Sequence, residues 1–430
     1  MLYERWRQIA HEFRGEIALE DLARDEHWTF EQLARKTESG QTPGAAVVFP
    51  QGITAEFVFS TLRAWRFGKV VCPLEAGKTQ PEFQDLPENC VHLKVTSAST
   101  GAARLAAFTS EQLAADAENI MATMPLQRSA PNLGVISLAH SYGFSNLVLP
   151  LLLHGVPLAI ADSVLPETIR RAANKFPSIT LPAVPALWRV WLGADAIPKN
   201  LHFAISAGAP LPMKLEQDIF KKCGVKIHNF YGASECGGIA YDRTDIPRKD
   251  FRFVGQPLEN VQLNVNQNGC LEVRSKAVGE TYWPVGEKTL NGGRFITSDL
   301  ADLRHGKVLL MGRAGDQINV AGRKVTPEMI ETVLLTHPEV MDSLVFGIPS
   351  EDAERGETIV ACVAINGRLT GEILKQFLLA KLPAWKVPRE WWLVDTLQTN
   401  ERGKRSRAEW REKYLKNKSA GDTHFFRRVK

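Results

Sequence analysis

Residues 44–74 read GAAVVFPQGITAEFVFSTLRAWRFGKVVCPL, and the two apolar runs at its ends decide the fold class. Gly44 to Pro50, GAAVVFP, is a short apolar stretch that reads as a buried strand. Thr54 is placed to cap a helix, with Glu56 near the helix's positive end. Phe57, Val58, Leu62 and Trp65 give that helix an apolar side, and Gly68 fits its stop. Val70, Val71, Cys72, Pro73 and Leu74 supply the next strand. Strand, helix and strand in that order make a βαβ unit, which favours a parallel sheet.

The alternation recurs outward from this unit. Strands are expected at 133–139, 179–183, 201–206 and 225–230. Each leads into small or polar residues, where α/β folds place ligands. From about 255 to 308 short strands and turns replace the helices, as at 261–265 and 271–274. A third texture starts near Gly312. Thr326 is expected to cap a helix with Pro327 at its first position and Glu328 next. Ile330, Val333 and Leu334 form its apolar face, and His337-Pro338 ends it. Strands at 343–346 and 359–364 and a helix at 370–382 complete a small α+β piece. The expected architecture is α/β. A large N-terminal domain over 1–312 has parallel-rich βα layers and a short β subdomain. A small α+β domain over 313–430 sits on a hinge.

The 430 residues are 44% hydrophobic and 23% charged, and the formal charge is only +4. A general nucleic-acid binder carries a much larger basic excess, so that class is set aside. The six cysteines include no CxxC spacing and no Cys/His cluster of zinc type. The first residues lack the apolar stretch of a signal peptide. The most apolar run, 147–160, is interrupted by Pro150, His154, Gly155 and Pro157, so no membrane span is expected. These features point to a cytoplasmic protein.

Four segments carry candidate chemistry. Thr96-Ser97-Ala98-Ser99-Thr100-Gly101-Ala102-Ala103-Arg104 packs hydroxyls and backbone amides before a basic side chain, which suits a polyphosphate. Alone, such a loop is more often an ordinary turn. Asn229-Phe230-Tyr231-Gly232-Ala233-Ser234-Glu235 follows an expected strand. A tyrosine there can stack on a base, and a carboxylate four residues on can hold Mg2+ near phosphates. In the third segment, Asp299 and Arg313 offer an acceptor and a donor to two ribose hydroxyls. The fourth, ending Gly403-Lys404, lies among basic residues, where a lysine is ordinarily a solvated charge.

In order and approximate spacing these segments resemble the adenylate-forming superfamily: acyl- and aryl-CoA ligases, luciferases and the adenylation domains of peptide synthetases. The first is similar to its Thr-Ser-Gly-x-Thr-Gly-x-Pro-Lys phosphate loop. Tyr231 to Glu235 resembles its Tyr-Gly-x-Thr-Glu motif, with Ser234 for Thr. Ser298-Asp299-Leu300 resembles Thr-Gly-Asp-Leu, and 312–325 resembles the hinge and following loop. Gly403-Lys404 resembles the C-terminal Gly-Lys. Ser206-Ala207-Gly208-Ala209-Pro210-Leu211 and 137–144 resemble the adenine turn and the edge of the acyl pocket.

The resemblance implies roles. Thr96, Ser97, Ser99, Thr100, Gly101 and Arg104 would hold the phosphates of ATP. Glu235, helped by Thr100, would hold Mg2+. Gly208, Ala209, Pro210 and Tyr231 would frame adenine, with Gly232 and Ser234 beside them. Asp299 and Arg313 would grip ribose, and Lys404 would bridge the carboxylate and the α-phosphate. Gly322 and Lys324 would line the path for the thiol of CoA or of a carrier protein's phosphopantetheine. His140, Ser141, Tyr142, Phe144, Asn229 and Phe230 would border the pocket for a carboxylic acid. The sequence departs from the pattern at Ala98, Ala103, Arg104, Gly315 and Lys324, and it is short between residues 75 and 95. Three readings stay open: an acid–CoA ligase, a ligase that loads an acyl carrier protein, and a nucleotide- or acyl-binding protein without turnover.

Overall fold

The 44–74 segment folds as strand, helix and strand. Thr54 Oγ1 accepts the Phe57 N–H at 3.3 Å and starts the helix Ala55–Arg66, which buries Phe57, Val58, Leu62 and Trp65. The flanking strands are short, Val47–Val48 and Val70–Val71, and run parallel. Pro50 and Pro73 withdraw the amide donors that a longer ladder would need. The computed structural model describes residues 1–81, 85–96, 104–161, 163–350, 352, 356–366, 369–398 and 406–419, and the backbone of 426–428.

The chain forms two units. The first comprises Met1–Asn266, Leu271–Thr297 and Leu303–Leu309, and the second Gln267–Cys270, Ser298–Asp302 and Leu310–Lys430. The architecture is α/β, with a large sheet-bearing first unit and a smaller second one.

The first unit holds a parallel run in the order Ile227–Ala233, Leu201–Ser206, Ile179–Ala183, Asn132–Gly134, Leu158–Ile160 and Ile17–Asp21. Gly237–Tyr241 and Phe253–Pro257 extend it antiparallel. The strand expected over 133–139 stops at Gly134. Ser137 Oγ accepts the Ala139 N–H at 3.2 Å in a turn that leads the chain out of the ladder. A second, five-stranded sheet runs Val47–Val48, Val70–Val71, His92–Val95, Leu105–Phe108 and Thr281–Trp283. Its apolar side gathers Val47, Val70, Cys72, Leu74, Leu93, Leu105 and Ala107.

The second unit is built on the sheet Val340–Pro349, Glu357–Ile365, Glu390–Val394 and Phe426–Arg428. The helices Pro327–Leu334 and Gly371–Leu379 supply Ile330, Leu334, Leu374 and Leu378 to one buried cluster with Trp391. Trp392 joins Trp410 and Tyr414 in another. Thr370 caps its helix through the Ile373 N–H. Thr326 stands at the N-cap position but makes no capping bond, so the fixed φ of Pro327 carries the helix start there. Among the described residues no helix is long and apolar enough to cross a membrane.

One half-buried histidine, His154, gives the first unit a pH dependence. His154 ends the helix Leu149–His154, and Arg5 Nη2 lies 3.1 Å from its Nε2. Arginine is only a donor, so Nε2 must be the bare nitrogen. Burial first and Arg5 second lower the His154 pKa to about 4. Between the ordinary value near 6.5 and about 4, the unfolded chain takes up a proton that the folded chain refuses. Stability is therefore lost as pH falls through that window. His154→Gln is expected to lose less melting temperature than the parent between pH 7 and pH 4.5. Equal losses in calorimetry would count against this assignment.

Candidate active site

The phosphate-loop segment emerges from an antiparallel hairpin. His92–Val95 pairs with Leu105–Phe108, and the Arg104 carbonyl accepts both the Thr96 N–H at 2.8 Å and the Thr96 hydroxyl at 3.1 Å. These two bonds close the neck. Ser97, Ala98, Ser99, Thr100, Gly101 and Ala103 lie outside the described residues. At the neck the Arg104 guanidinium pairs with Glu287 at 2.6 Å and lies 5.7 Å from the centre of the Tyr282 ring.

Tyr282 reaches the second segment as well. Its hydroxyl donates to Glu235 Oε1 at 3.0 Å. Burial, then the Glu235 charge, pushes the Tyr282 pKa well up, which keeps the hydroxyl a donor. Asn229 to Ala233 lies within the strand Ile227–Ala233 rather than after it, and Tyr231 pairs with Ala240. Ser234, Glu235 and Cys236 form the turn into Gly237–Tyr241. The ladder shifts register between Tyr231 and Gly232, so the motif's second half leaves regular pairing.

The pocket residues divide. Tyr142 stacks on Phe230 with ring centres 6.0 Å apart. Phe144 turns into the core beside Phe57 and His92. Asn229 donates its side-chain amide to the Val254 carbonyl at 3.2 Å and so ties two strands. His140 Nε2 lies 3.0 Å from Glu75 Oε1. Phe144–Val148 forms a π-helical turn, a distortion frequent at functional sites.

The turn Gly208, Ala209, Pro210 follows the strand Leu201–Ser206. A buried charge network holds its end. Arg248 donates to the Leu211 carbonyl at 2.7 Å and to Glu216 at 2.8 Å, while Lys226 bridges Glu216 and Asp242.

In the second unit, Arg313 Nε donates to Asp299 Oδ1 at 3.2 Å, so the two candidate ribose groups face each other. Gly315 lies in a 3-10 turn. The conformational demand falls instead on Gly312, at φ +106, where a Cβ would stand 2.3 Å from Thr326. Gly322 turns the hairpin between Ile318–Val320 and Arg323–Val325, with Lys324 exposed. Lys404 lies outside the described residues. Arg407, three positions on, is no solvated tail charge. It pairs with Asp316 at 2.9 Å, Glu328 at 2.8 Å and both oxygens of Glu331 at 2.9 Å. Burial opposes its charge, yet these carboxylates hold its pKa above the usual value.

Tyr282, Glu287, Glu75 and the Arg407 cradle are partners that sequence reasoning missed. Tyr282-Trp283 in a short strand was a visible signal. The carboxylates carried none.

The AMP-binding enzyme family matches residues 75–283, and the AMP-binding enzyme C-terminal domain family matches residues 329–404. The chain belongs to the adenylate-forming superfamily. This adenylate-forming chain is 28% identical to a 4-coumarate–CoA ligase-like protein of Oryza sativa subsp. japonica, over 66% of the chain and 56% of the relative. It is 27% identical to a long-chain-fatty-acid–CoA ligase of Escherichia coli O157:H7, over 77% of the chain and 63% of the relative. The chain thus spans less than two thirds of either relative. An o-succinylbenzoate CoA synthetase from Bacillus subtilis, solved with its acyl-adenylate intermediate, shares the fold. Its TM-score is 0.82 at 18% identity, covering 94% of this chain and 97% of that one.

Among the described residues no group of three or more His, Cys, Asp or Glu could hold a metal by itself. The Mg2+ that accompanies ATP needs no such cage, since phosphates, waters and one or two carboxylates complete it. Glu235 fits that need, because Tyr282 fixes one of its oxygens.

Removing the Arg407 cation leaves Asp316, Glu328 and Glu331 crowded together. Arg407→Met is expected to destabilise the second unit by about 3–5 kcal/mol. Burial raises the Glu331 pKa even beside Arg407. A carboxyl raised in the folded state stabilises at low pH and loses that contribution as pH rises. The deficit in urea unfolding should therefore be larger at pH 8 than at pH 5. A deficit independent of pH would contradict the cradle.

Proposed function

We propose that the protein activates a carboxylic acid with ATP as an acyl-AMP and then transfers the acyl group to the thiol of CoA. The observation that carries this reading is the convergence on Tyr282. One ring receives the loop-neck cation Arg104 on its face and donates its hydroxyl to Glu235. A phosphate-binding loop and a metal-holding carboxylate must meet in this way if one nucleotide is to touch both. The relatives named a CoA ligase-like protein and a CoA ligase support the choice of acceptor.

A carboxylate repels nucleophiles and holds a poor leaving group. In the proposed reaction one carboxylate oxygen forms a bond to the α-phosphorus of ATP, and the bond to pyrophosphate breaks. The thiolate then attacks the acyl carbon, and AMP leaves. Positioning and neutralisation of phosphate charge lower the barrier. Mg2+, when bound, supplies part of that neutralisation. Thr96, Ser97, Ser99, Thr100, Gly101 and Arg104 would face the phosphates. Glu235, held in place by the Tyr282 hydroxyl, would hold the metal. Gly208, Ala209, Pro210 and Tyr231 would frame adenine, and Asp299 with Arg313 would take the ribose hydroxyls. Tyr142, stacked on Phe230, gives the pocket an aromatic wall that suits a medium or aromatic acid.

Lys404 would meet the reacting carboxylate and α-phosphate, with Arg407 anchoring the chain just after it. The second unit is read as a mobile domain that turns at 312–316, so that Gly322 replaces Lys404 for thiol transfer. ATP, CoA and six cysteines that form no disulfide fit a cytoplasmic setting.

Lys404→Ala is expected to lower ATP–pyrophosphate exchange by about 100-fold or more. The same variant should still pass a supplied acyl-AMP to CoA. Unchanged exchange would remove Lys404 from the first step. A panel of acids tested for pyrophosphate release decides the wider reading. Release without a CoA thioester would assign the acyl group to a carrier protein. No release with any acid would leave a binding protein.

A further inference from the structure

Strand His92–Val95 and Thr96 alternate in character. Leu93 joins the apolar cluster of the five-stranded sheet, while His92, Lys94 and Thr96 point the other way. All three are buried, with Lys94 only 4% exposed. A charge so placed requires a counter-charge. Lys94 Nζ lies 3.5 Å from Asp116 Oδ2, 3.4 Å from the hydroxyls of Ser141 and Ser145, and 4.6 Å from the centre of the Phe108 ring. Asp116, 1% exposed, is engaged on both oxygens. Oδ2 accepts from Ser145 at 2.6 Å, and Oδ1 accepts the Gly238 N–H at 3.1 Å.

Four segments meet at this pair. Lys94 stands two residues before the loop neck at Thr96. Asp116 belongs to the helix Ser110–Thr123 that follows the loop. Gly237 and Gly238 close the turn that carries Glu235. Ser141 and Ser145 begin the segment after His140. Asp116 presses on the Glu235 turn so closely that a Cβ on Gly237 would lie 2.0 Å from its Oδ1.

We propose that Lys94 and Asp116 are a positioning pair, which fixes the Glu235 turn relative to the phosphate-loop neck and the pocket segment. This rests on the adenylate-forming reading above. An apolar pair in place of a buried ion pair is often neutral or stabilising, so stability alone does not account for these charges. Direction does account for them. Two converging side-chain donors, Lys94 and Ser145, and the Gly238 N–H give Asp116 one orientation, and the turn it holds carries the carboxylate that must face the metal. Partners behind a metal ligand act on metal affinity through such orientation.

The test uses the full chain with Lys94→Met, Asp116→Asn and the double variant. Each single change leaves an uncompensated charge and should lower the melting temperature. The double change removes both charges and should restore it. The double variant should nevertheless need about 10-fold more Mg2+ to bind a non-hydrolysable ATP analogue in calorimetry. Its ATP–pyrophosphate exchange should fall about 10- to 100-fold in kcat, with the KM for the acid unchanged. A double variant with the parent's Mg2+ requirement and kcat overturns the proposal. So does one that fails to fold, because the pair would then hold the fold rather than the site. If the parent shows no exchange with any acid, the reading of function fails separately. The Mg2+ requirement for analogue binding then decides the role of the pair.

Discussion

Two hydrogen bonds from Thr96 to the Arg104 carbonyl are the constraint on which the rest of the site hangs. They close the hairpin of His92–Val95 with Leu105–Phe108 and so bring Thr96 and Arg104 to a single point. The outer neighbour of that hairpin, Thr281–Trp283, is thereby set at a fixed register, with Tyr282 opposite Ala106. Tyr282 can then serve the cation on one side and Glu235 on the other. Were the neck to open, Arg104, Tyr282 and Glu235 would lose their common reference.

The interior of each unit is held by opposed charges as well as by apolar packing. Lys94 with Asp116, Arg248 with Glu216, Lys226 with Asp242, and Arg407 with its carboxylates all lie where separate segments meet. Taking such groups from water costs several kcal/mol per ion. What they return is direction, since a guanidinium or carboxylate binds along a few lines only. Apolar contacts fill the remaining volume but accept many orientations.

Local pattern made much of the fold legible. Thr54 and Thr370 cap where they stand, and Ile179–Ala183 and Leu201–Ser206 are strands as read. Such features depend on neighbours within a turn of the chain. The same logic singled out Tyr231, Glu235, Asp299 and Arg313 as candidates, because each sits in a short motif. It did not find Tyr282 as the partner of Glu235, 47 positions away. Nor did it separate Arg407 from the basic residues around it, although only Arg407 reaches Asp316, Glu328 and Glu331 among the described residues. Tertiary pairing chose it, and composition carries no record of that choice. The alternation of His92, Lys94 and Thr96 was visible, but in so short a strand it has no meaning until the opposite wall is known.

The neck also gives a neighbouring strand its frame of reference. The pairs from His92 with Phe108 to Val95 with Leu105 and the two bonds of Thr96 fix one register. Thr281–Trp283 takes its own place from Leu105, Ala106 and Ala107 on the same hairpin. A substitution on one of these rungs therefore acts far along the chain, by moving Tyr282 against Glu235.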